Sequence, residues 1–263
     1  MNDSKPKVAL VTGAGRGIGR SAALELARRG LQVALVARNK AEIEAVAAEI
    51  KTLGGIAVAI PFDLGELEKI EELVGQVNSA LGPVQILINN AATIGPFGPT
   101  WEIDPAEWAR VIEINLISPF RLLRAVLPGM LECNQGRIIN VSSGAARSPM
   151  ERTGAYSTSK AGMDMMTRQL GVELADTGVT VISFYPGTVD TTMQTEIRTQ
   201  PAEKVGEALA GRFQGYYTSG KCLPPDLAGK VIAILAGEAG ENFRGQIINI
   251  TDSAVQALLQ ETL

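Results

Sequence analysis

The chain has 263 residues, 46% of them hydrophobic and only 5% aromatic, with a formal net charge of −4 and no histidine. Such a length suits one large α/β unit, residues 1–263, able to bury its core without a disulfide or metal. Scattered basic residues exclude a nucleic-acid surface, and two distant cysteines (Cys133 and Cys222) without histidine exclude a zinc site built from Cys and His.

Met1–Lys7 is short and polar and lacks the apolar stretch of a signal peptide. No apolar run approaches the ~20 residues that span a bilayer. A cytoplasmic chain with no membrane partner is therefore expected. Val8–Thr12 reads as a first strand. It runs into Thr12-Gly13-Ala14-Gly15-Arg16-Gly17-Ile18-Gly19 and then a helix with Ile18, Ala22 and Leu26 on one face, stopped at Gly30. Gln32–Ala37 is the second strand, Lys40–Leu53 an amphipathic helix, Ala57–Phe62 the third strand and Glu66–Leu81 the next helix. Val84–Ile88 follows, then a long helix over Pro105–Leu131 with a bend expected at Pro119. Strands at Gly136–Val141, Thr180–Phe184 and Gln246–Ile250 flank helices over Ala155–Ala175 and Pro225–Ala236, the latter read as the last. Strands rich in Val and Ile, alternating with helices, predict an α/β fold of Rossmann type: a doubly wound parallel sheet with helices on both faces. Thr188–Pro224 breaks the alternation, and its glycines and paired tyrosines suggest a lid over a substrate.

In such sheets ligands bind at the carboxyl ends of the strands. Gly13, Gly15, Gly17 and Gly19 let the backbone turn and approach a pyrophosphate, which the N–H groups opening the helix would hold. The spacing Gly13-x-x-x-Gly17-x-Gly19 departs from the literal dinucleotide pattern, but its place between strand and helix is the required one. NAD sites usually carry an acid about 20 residues beyond the glycines. Here Val36-Ala37-Arg38-Asn39 offers Arg38, which suits the 2′-phosphate of NADP, with Arg16 as a second charge. Arg38 as a plain solvated loop residue is the alternative.

Tyr156 and Lys160 lie one helical turn apart on one face. A neighbouring ammonium, with the positive charge of an oxidised nicotinamide, should lower the tyrosine pKa and make it a usable acid/base. Ser143, just after a strand, could bond a carbonyl oxygen as charge develops on it.

Together the glycine loop, Asn89-Asn90-Ala91, Asn115, Ser143, Tyr156-x-x-x-Lys160 and Pro186-Gly187 with Thr191 resemble the classical short-chain dehydrogenases/reductases over nearly the whole chain. That resemblance implies that Tyr156 donates the proton, that Lys160 also grips the nicotinamide ribose, and that Ser143 orients the carbonyl. It implies that Asn115 holds a relay water, although bracing a helix kink is an equal role for it. Asp63 would contact adenine or serve merely as a loop acid, Asn90 and Ala91 would line the ribose, and Gly187, Val189 and Thr191 would hold the nicotinamide amide. Ile18 belongs to the same glycine segment.

Two departures stand out: Ala92 replaces the family's usual glycine, and Asp252-Ser253-Ala254 replaces Asp-Gly-Gly. Tyr185–Gln194 is similar to the branch containing sepiapterin and benzil reductases, which implies a small ketone or 1,2-diketone; a sugar or a fatty acyl carrier is the alternative substrate. Trp101 and Met150 are candidates for pocket lining or plain packing. The expected function is NADPH-dependent carbonyl reduction by a homodimer or homotetramer. An NAD-dependent alcohol dehydrogenase and a non-catalytic nucleotide-binding protein are the alternatives.

Overall fold

Val8–Thr12 is buried along its whole length and forms β1 near the middle of a seven-stranded sheet in the computed structural model, which describes residues 7–261. The other strands are β2 (Gln32–Ala37), β3 (Ala57–Pro61), β4 (Val84–Asn89), β5 (Gly136–Val141), β6 (Val179–Tyr185) and β7 (Ile247–Asn249). All neighbours pair in parallel, in the order β3-β2-β1-β4-β5-β6-β7. The doubly wound fold expected from the alternation of elements is the one present.

Successive strand residues point to opposite faces, and β1 feeds two separate cores. Ala9 and Val11 pack under helices α1 (Gly17–Arg28) and α2 (Lys40–Thr52), beside Ala22, Leu26, Ile43 and Val46. Val8 and Leu10 face α3 (Ile70–Leu81), where they meet Leu73 and Val77.

The long helix expected over Pro105–Leu131 is present, but its irregularity lies elsewhere. It comprises α4 (Pro105–Ile112), a π-helical turn (Glu113–Ile117) and α5 (Ser118–Glu132). Pro119 sits in the first turn of α5, where its missing N–H costs nothing. The bend therefore belongs to the π-turn and to the buried Asn115 within it. The run Pro105–Glu132 meets the length and composition of a membrane span. Its apolar face, with Leu122, Leu123 and Val126, is buried on the sheet instead.

After β5 come α6 (Gly154–Glu173) and β6. Segment 188–224 is more regular than its sequence suggests, folding as α7 (Thr192–Thr199), α8 (Ala202–Val205) and α9 (Glu207–Thr218). Gly211 and Gly215, read as signs of irregularity, are tolerated inside α9, where a side chain at either would meet nothing within 4 Å. Leu209 and Phe213 of α9, with Ile197 and Val205, pack with Ile94, Ala145 and Tyr156 to make a third apolar cluster. A parallel bridge between Val189 and Leu223 ties the base of the segment together.

Pro225–Ala236 is not the last helix. Following α10 (Pro225–Leu235) and β7, α11 (Ser253–Glu261) buries Val255 and Leu259, four residues apart, against the first core. Asp252, where the resembled family carries Asp-Gly-Gly, accepts the Asn249 amide at 2.7 Å and shapes the turn into α11.

Candidate active site

From β1 the chain winds outward to β2 and β3, and from β4 it winds the other way to β5, β6 and β7. The connections leave the carboxyl ends of β1 and β4 on opposite sides and open a cleft between them. Thr12 closes its floor. The Thr12 hydroxyl donates to Ile88 O at 3.1 Å and accepts the amides of Asn90 and Ala91 at 3.0 and 3.1 Å. The Asn90 amide returns a bond to Thr12 O at 2.9 Å.

The glycine loop lies on this floor. Gly13 and Gly17 have φ of +64° and +54°, a region costly for any residue with a side chain. An ideal Cβ on Gly19 would lie 2.2 Å from Gly13 O, so Gly19 serves loop packing rather than the cleft surface. Gly13, Gly15, Arg16, Gly17 and Ile18 do line the cleft. Arg16 opens α1 in extended conformation without a side-chain cap, leaving first-turn N–H groups free for an anion. Its guanidinium meets Glu196 of α7 at 3.5 Å, a link between loop and segment 188–224 that the sequence did not disclose.

Beyond the loop, Arg38 is exposed, lines the cleft and makes no ion pair among the described residues. The strand tip has no acid, yet an acid reaches the same place from α2. An ideal Cβ on Gly15 would fall 2.7 Å from a Glu42 carboxylate oxygen, so Glu42 lies directly against the loop. Asp63 lines the cleft with its oxygens engaged: Arg110 grips both, at 3.0 and 2.9 Å, and Gly65 N–H donates to one at 2.9 Å. It is thus a braced loop acid at the cleft wall. Asn90 and Ala91 line the floor beside it.

At the far end of the cleft α6 presents Tyr156 and Lys160, 6% and 2% exposed. The Lys160 ammonium donates to Val141 O at 2.8 Å and lies 5.8 Å from the Tyr156 ring centre. Burial lowers its pKa to about 8, with the Asp164 charge opposing that effect. Tyr156 is governed by its burial. Its pKa is raised, because desolvation outweighs the opposing hydrogen bond from Ser143. A lysine held on a backbone carbonyl and itself depressed does too little to reverse the cost of burying a phenolate. Burial therefore favours the neutral phenol of Tyr156.

Ser143 begins a short turn after β5 and accepts the Ala145 amide at 3.2 Å. Asn115 ties the π-turn to two other segments. Its oxygen accepts Thr93 N–H at 2.9 Å, and its nitrogen donates to Thr93 O at 2.8 Å and to Ser159 Oγ at 3.1 Å. Gly187, Val189 and Thr191 follow β6 along the same wall, as expected. Ile94, Phe97, Met150, Met193 and Phe213 make the neighbouring surface apolar. Trp101 is 85% exposed and lies outside the cleft. Tyr217 faces outward under Arg198, whereas Tyr216 lines the cleft.

Sequence reading missed Thr12 as a knot, Glu42 and Arg110. Thr12 preceded the first glycine and was visible; Glu42 and Arg110 lie on helices whose rotation no local pattern reveals. The cleft measures about 1830 Å³, larger than the ~300–1,000 Å³ of a site for one small ligand. A positive-φ glycine floor, an uncapped helix start, an unpaired Arg38 and a proton donor in line fit a phosphorylated dinucleotide with a second, smaller molecule.

A family model described as short chain dehydrogenase matches residues 7–202. The chain is 35% identical over 247 residues to a 3-oxoacyl-(acyl-carrier-protein) reductase of Staphylococcus epidermidis, covering 93% of this chain and 97% of that protein. It is 32% identical over 237 residues to 2,3-dihydro-2,3-dihydroxybenzoate dehydrogenase of Bacillus subtilis, covering 89% and 90%. A variant of actinorhodin polyketide ketoreductase, solved with NADPH, superposes with a TM-score of 0.85 at 33% identity, covering 95% of this chain and 97% of that one.

Lys160 has a signature independent of any reaction. In a 13C titration of the lysine side chains, one ammonium should titrate near 8 and vanish in Lys160→Met; a Lys160 midpoint near the ordinary ~10.4 would contradict the assignment. Since the unfolded chain keeps that proton to ~10.4, folding stability should rise with pH between about 8 and 10.

Proposed function

The chain belongs to the short chain dehydrogenase family, and we propose that it reduces a small ketone or 1,2-diketone with NADPH. The observation that carries this reading is the protonated Tyr156 at the cleft floor, with Ser143 and Lys160 beside it. NADPH, bound along the glycine floor, supplies a hydride to the carbonyl carbon. The Ser143 hydroxyl donates a hydrogen bond to the carbonyl oxygen, and Tyr156 gives that oxygen its proton. Lys160, held by Val141 O, would stabilise the phenolate that remains and hold the cofactor's ribose. Asn115 acts on the reaction by fixing Thr93 and Ser159 around the site.

Gly13, Gly15, Arg16, Gly17, Ile18, Asn90 and Ala91 would hold the cofactor's adenosine and pyrophosphate, and Gly187, Val189 and Thr191 its amide. Asp63 would mark the adenine end. Segment 188–224 would close over the substrate as a lid, with Met193 and Phe213 as its apolar lining. The names of two relatives specify a 3-oxoacyl group on a carrier protein and a dihydro-dihydroxybenzoate, which supports an oxygenated substrate without favouring a small one.

The preference for NADPH rests on Arg38, with Arg16 behind it. Glu42 is the one observation favouring NADH, since a carboxylate beside the loop repels a 2′-phosphate and can accept a ribose hydroxyl. Self-association belongs to the same proposal. Phe120 on α5 and Met165 and Val172 on α6 are 46%, 60% and 75% exposed, an apolar surface suited to a two-fold contact.

The first test is oxidation of NADPH and NADH, followed by absorbance, against 1,2-diketones, simple ketones, aldehydes and pterins. Turnover of one class is expected, and Tyr156→Phe should abolish nearly all of it while still binding NADPH. Unchanged turnover in that variant would refute the role of Tyr156. In fluorescence titrations Arg38→Asp should weaken NADPH at least tenfold and NADH little, while Glu42→Gln should tighten NADPH severalfold. Equal changes for both cofactors would show that these side chains do not read the phosphate. Sedimentation at micromolar concentration should give dimers or tetramers; monomers alone would sink the association proposal.

A further inference from the structure

Three charged side chains are buried among the described residues: Arg137, Lys160 and Asp164. Arg137 is paired with Glu241. Lys160 and Asp164 make no ion pair among the described residues, and they lie four residues apart on α6. An acid is rarely kept in an interior without a partner, because desolvating its charge is costly. The reaction just described has no use for Asp164, which does not line the cleft, whereas Lys160 does.

The sheet holds the two groups close. Lys160 donates to Val141 O of β5 at 2.8 Å, and Asp164 accepts the Ser183 hydroxyl of β6 at 2.5 Å. Ser183 is the register partner of Asn140, the residue before Val141, so the two anchors sit one residue apart on adjacent strands. Adjacent strands run ~4.8 Å apart, and helix residues four apart have Cβ atoms ~5–6 Å apart. The ammonium and the carboxylate therefore feel each other's field while each is bonded to a neutral partner. Other charges around this stretch of α6 are engaged or face elsewhere. Glu113 of the π-turn meets Arg110 of α4, Arg147 after β5 donates to Ile247 O, and Arg168 is exposed. Burial keeps the phenols of Tyr156 and Tyr185 neutral. Burial also lowers the Lys160 pKa, and the Asp164 charge works against that.

We propose that Asp164, fixed by Ser183, is the counter-charge that keeps Lys160 an ammonium, and is thereby a positioning residue for the reduction. It touches neither substrate nor cofactor and acts only through Lys160. The consequence for turnover rests on the carbonyl-reductase reading; the coupling between the two buried charges does not.

The experiment uses Asp164→Asn, which keeps the shape of the side chain and can still accept the Ser183 hydroxyl but carries no charge. In a 13C titration of the lysine side chains, without substrate or cofactor, the Lys160 midpoint near 8 should fall by roughly one pH unit. Ser183→Ala leaves the acid without its donor and should move the midpoint the same way by less. It carries the test if Asp164→Asn does not fold. An unmoved midpoint overturns the proposal. The second readout is the pH dependence of kcat/KM for carbonyl reduction with NADPH. A protonated Lys160 stabilises the phenolate, so turnover should fall as pH rises through its midpoint. In Asp164→Asn that fall should come about one pH unit lower, with turnover on the acid side changed by less than about threefold. Loss by one factor at every pH, with the midpoint in place, would mark Asp164 as packing alone and overturn the positioning role. Absence of turnover in the wild type would count against the reductase reading, while the lysine titration would still decide whether Asp164 is the counter-charge.

Discussion

Everything in this molecule that resembles chemistry follows from the divergence of chain connections at β1 and β4. A parallel sheet forces each connection to cross over a face and return, and all crossovers share one hand. Where the winding reverses, two neighbouring strand ends lose their covering connection together. The protein leaves that gap open above, as a cleft, and secures it below with Thr12, whose hydroxyl joins β1 to β4 and to the segment after it. Glycines are required at the floor because backbone passes within contact of backbone there: Gly13 against Ala91, and Gly19 against Gly13.

The same geometry explains why a cation is kept in the interior. Lys160 is fully packed and makes no ion pair among the described residues; a backbone carbonyl from the end of β5 is its hydrogen-bond acceptor. Burying an ammonium this way is costly and lowers its pKa. The cost is balanced by function, since a cation held by a neutral acceptor keeps its field free for other partners. Tyr156, buried beside it, is held in its neutral form by desolvation.

At the other end of the cleft the balance is one of opposed charges. Arg38 and Glu42 line the cleft from successive elements, β2's end and the first turn of α2, and neither makes an ion pair among the described residues. Asp63, by contrast, is neutralised by Arg110 and stiffens the wall. Arg16 joins this end to segment 188–224 through Glu196, and Thr191 packs on Gly17. The surface over the phosphate loop and the surface over the substrate are thus in mechanical contact.

Local pattern was sufficient for the strands, because each is a short Val- and Ile-rich run between turn residues, and period and burial agree there. It was sufficient for the glycine loop, Ser143 and the Tyr156-Lys160 pair, whose spacing along one strand end or one helix face is itself the geometry. It failed where a residue's meaning depends on what lies across the fold. The bend near Asn115 is a π-turn because the Asn115 side chain is drawn to Thr93 and Ser159, far away in sequence. Helix α9 forms despite its glycines because Leu209 and Phe213, with Ile197 of α7, find a third apolar cluster to enter. Whether Tyr156 is more or less acidic was decided by how deeply it is buried, and whether an acid stands near Arg38 was decided by the rotation of α2. Sequence periodicity determined the elements and the chemistry-bearing pairs within one element; only tertiary packing, which sets distance and desolvation between elements, decided their electrostatics.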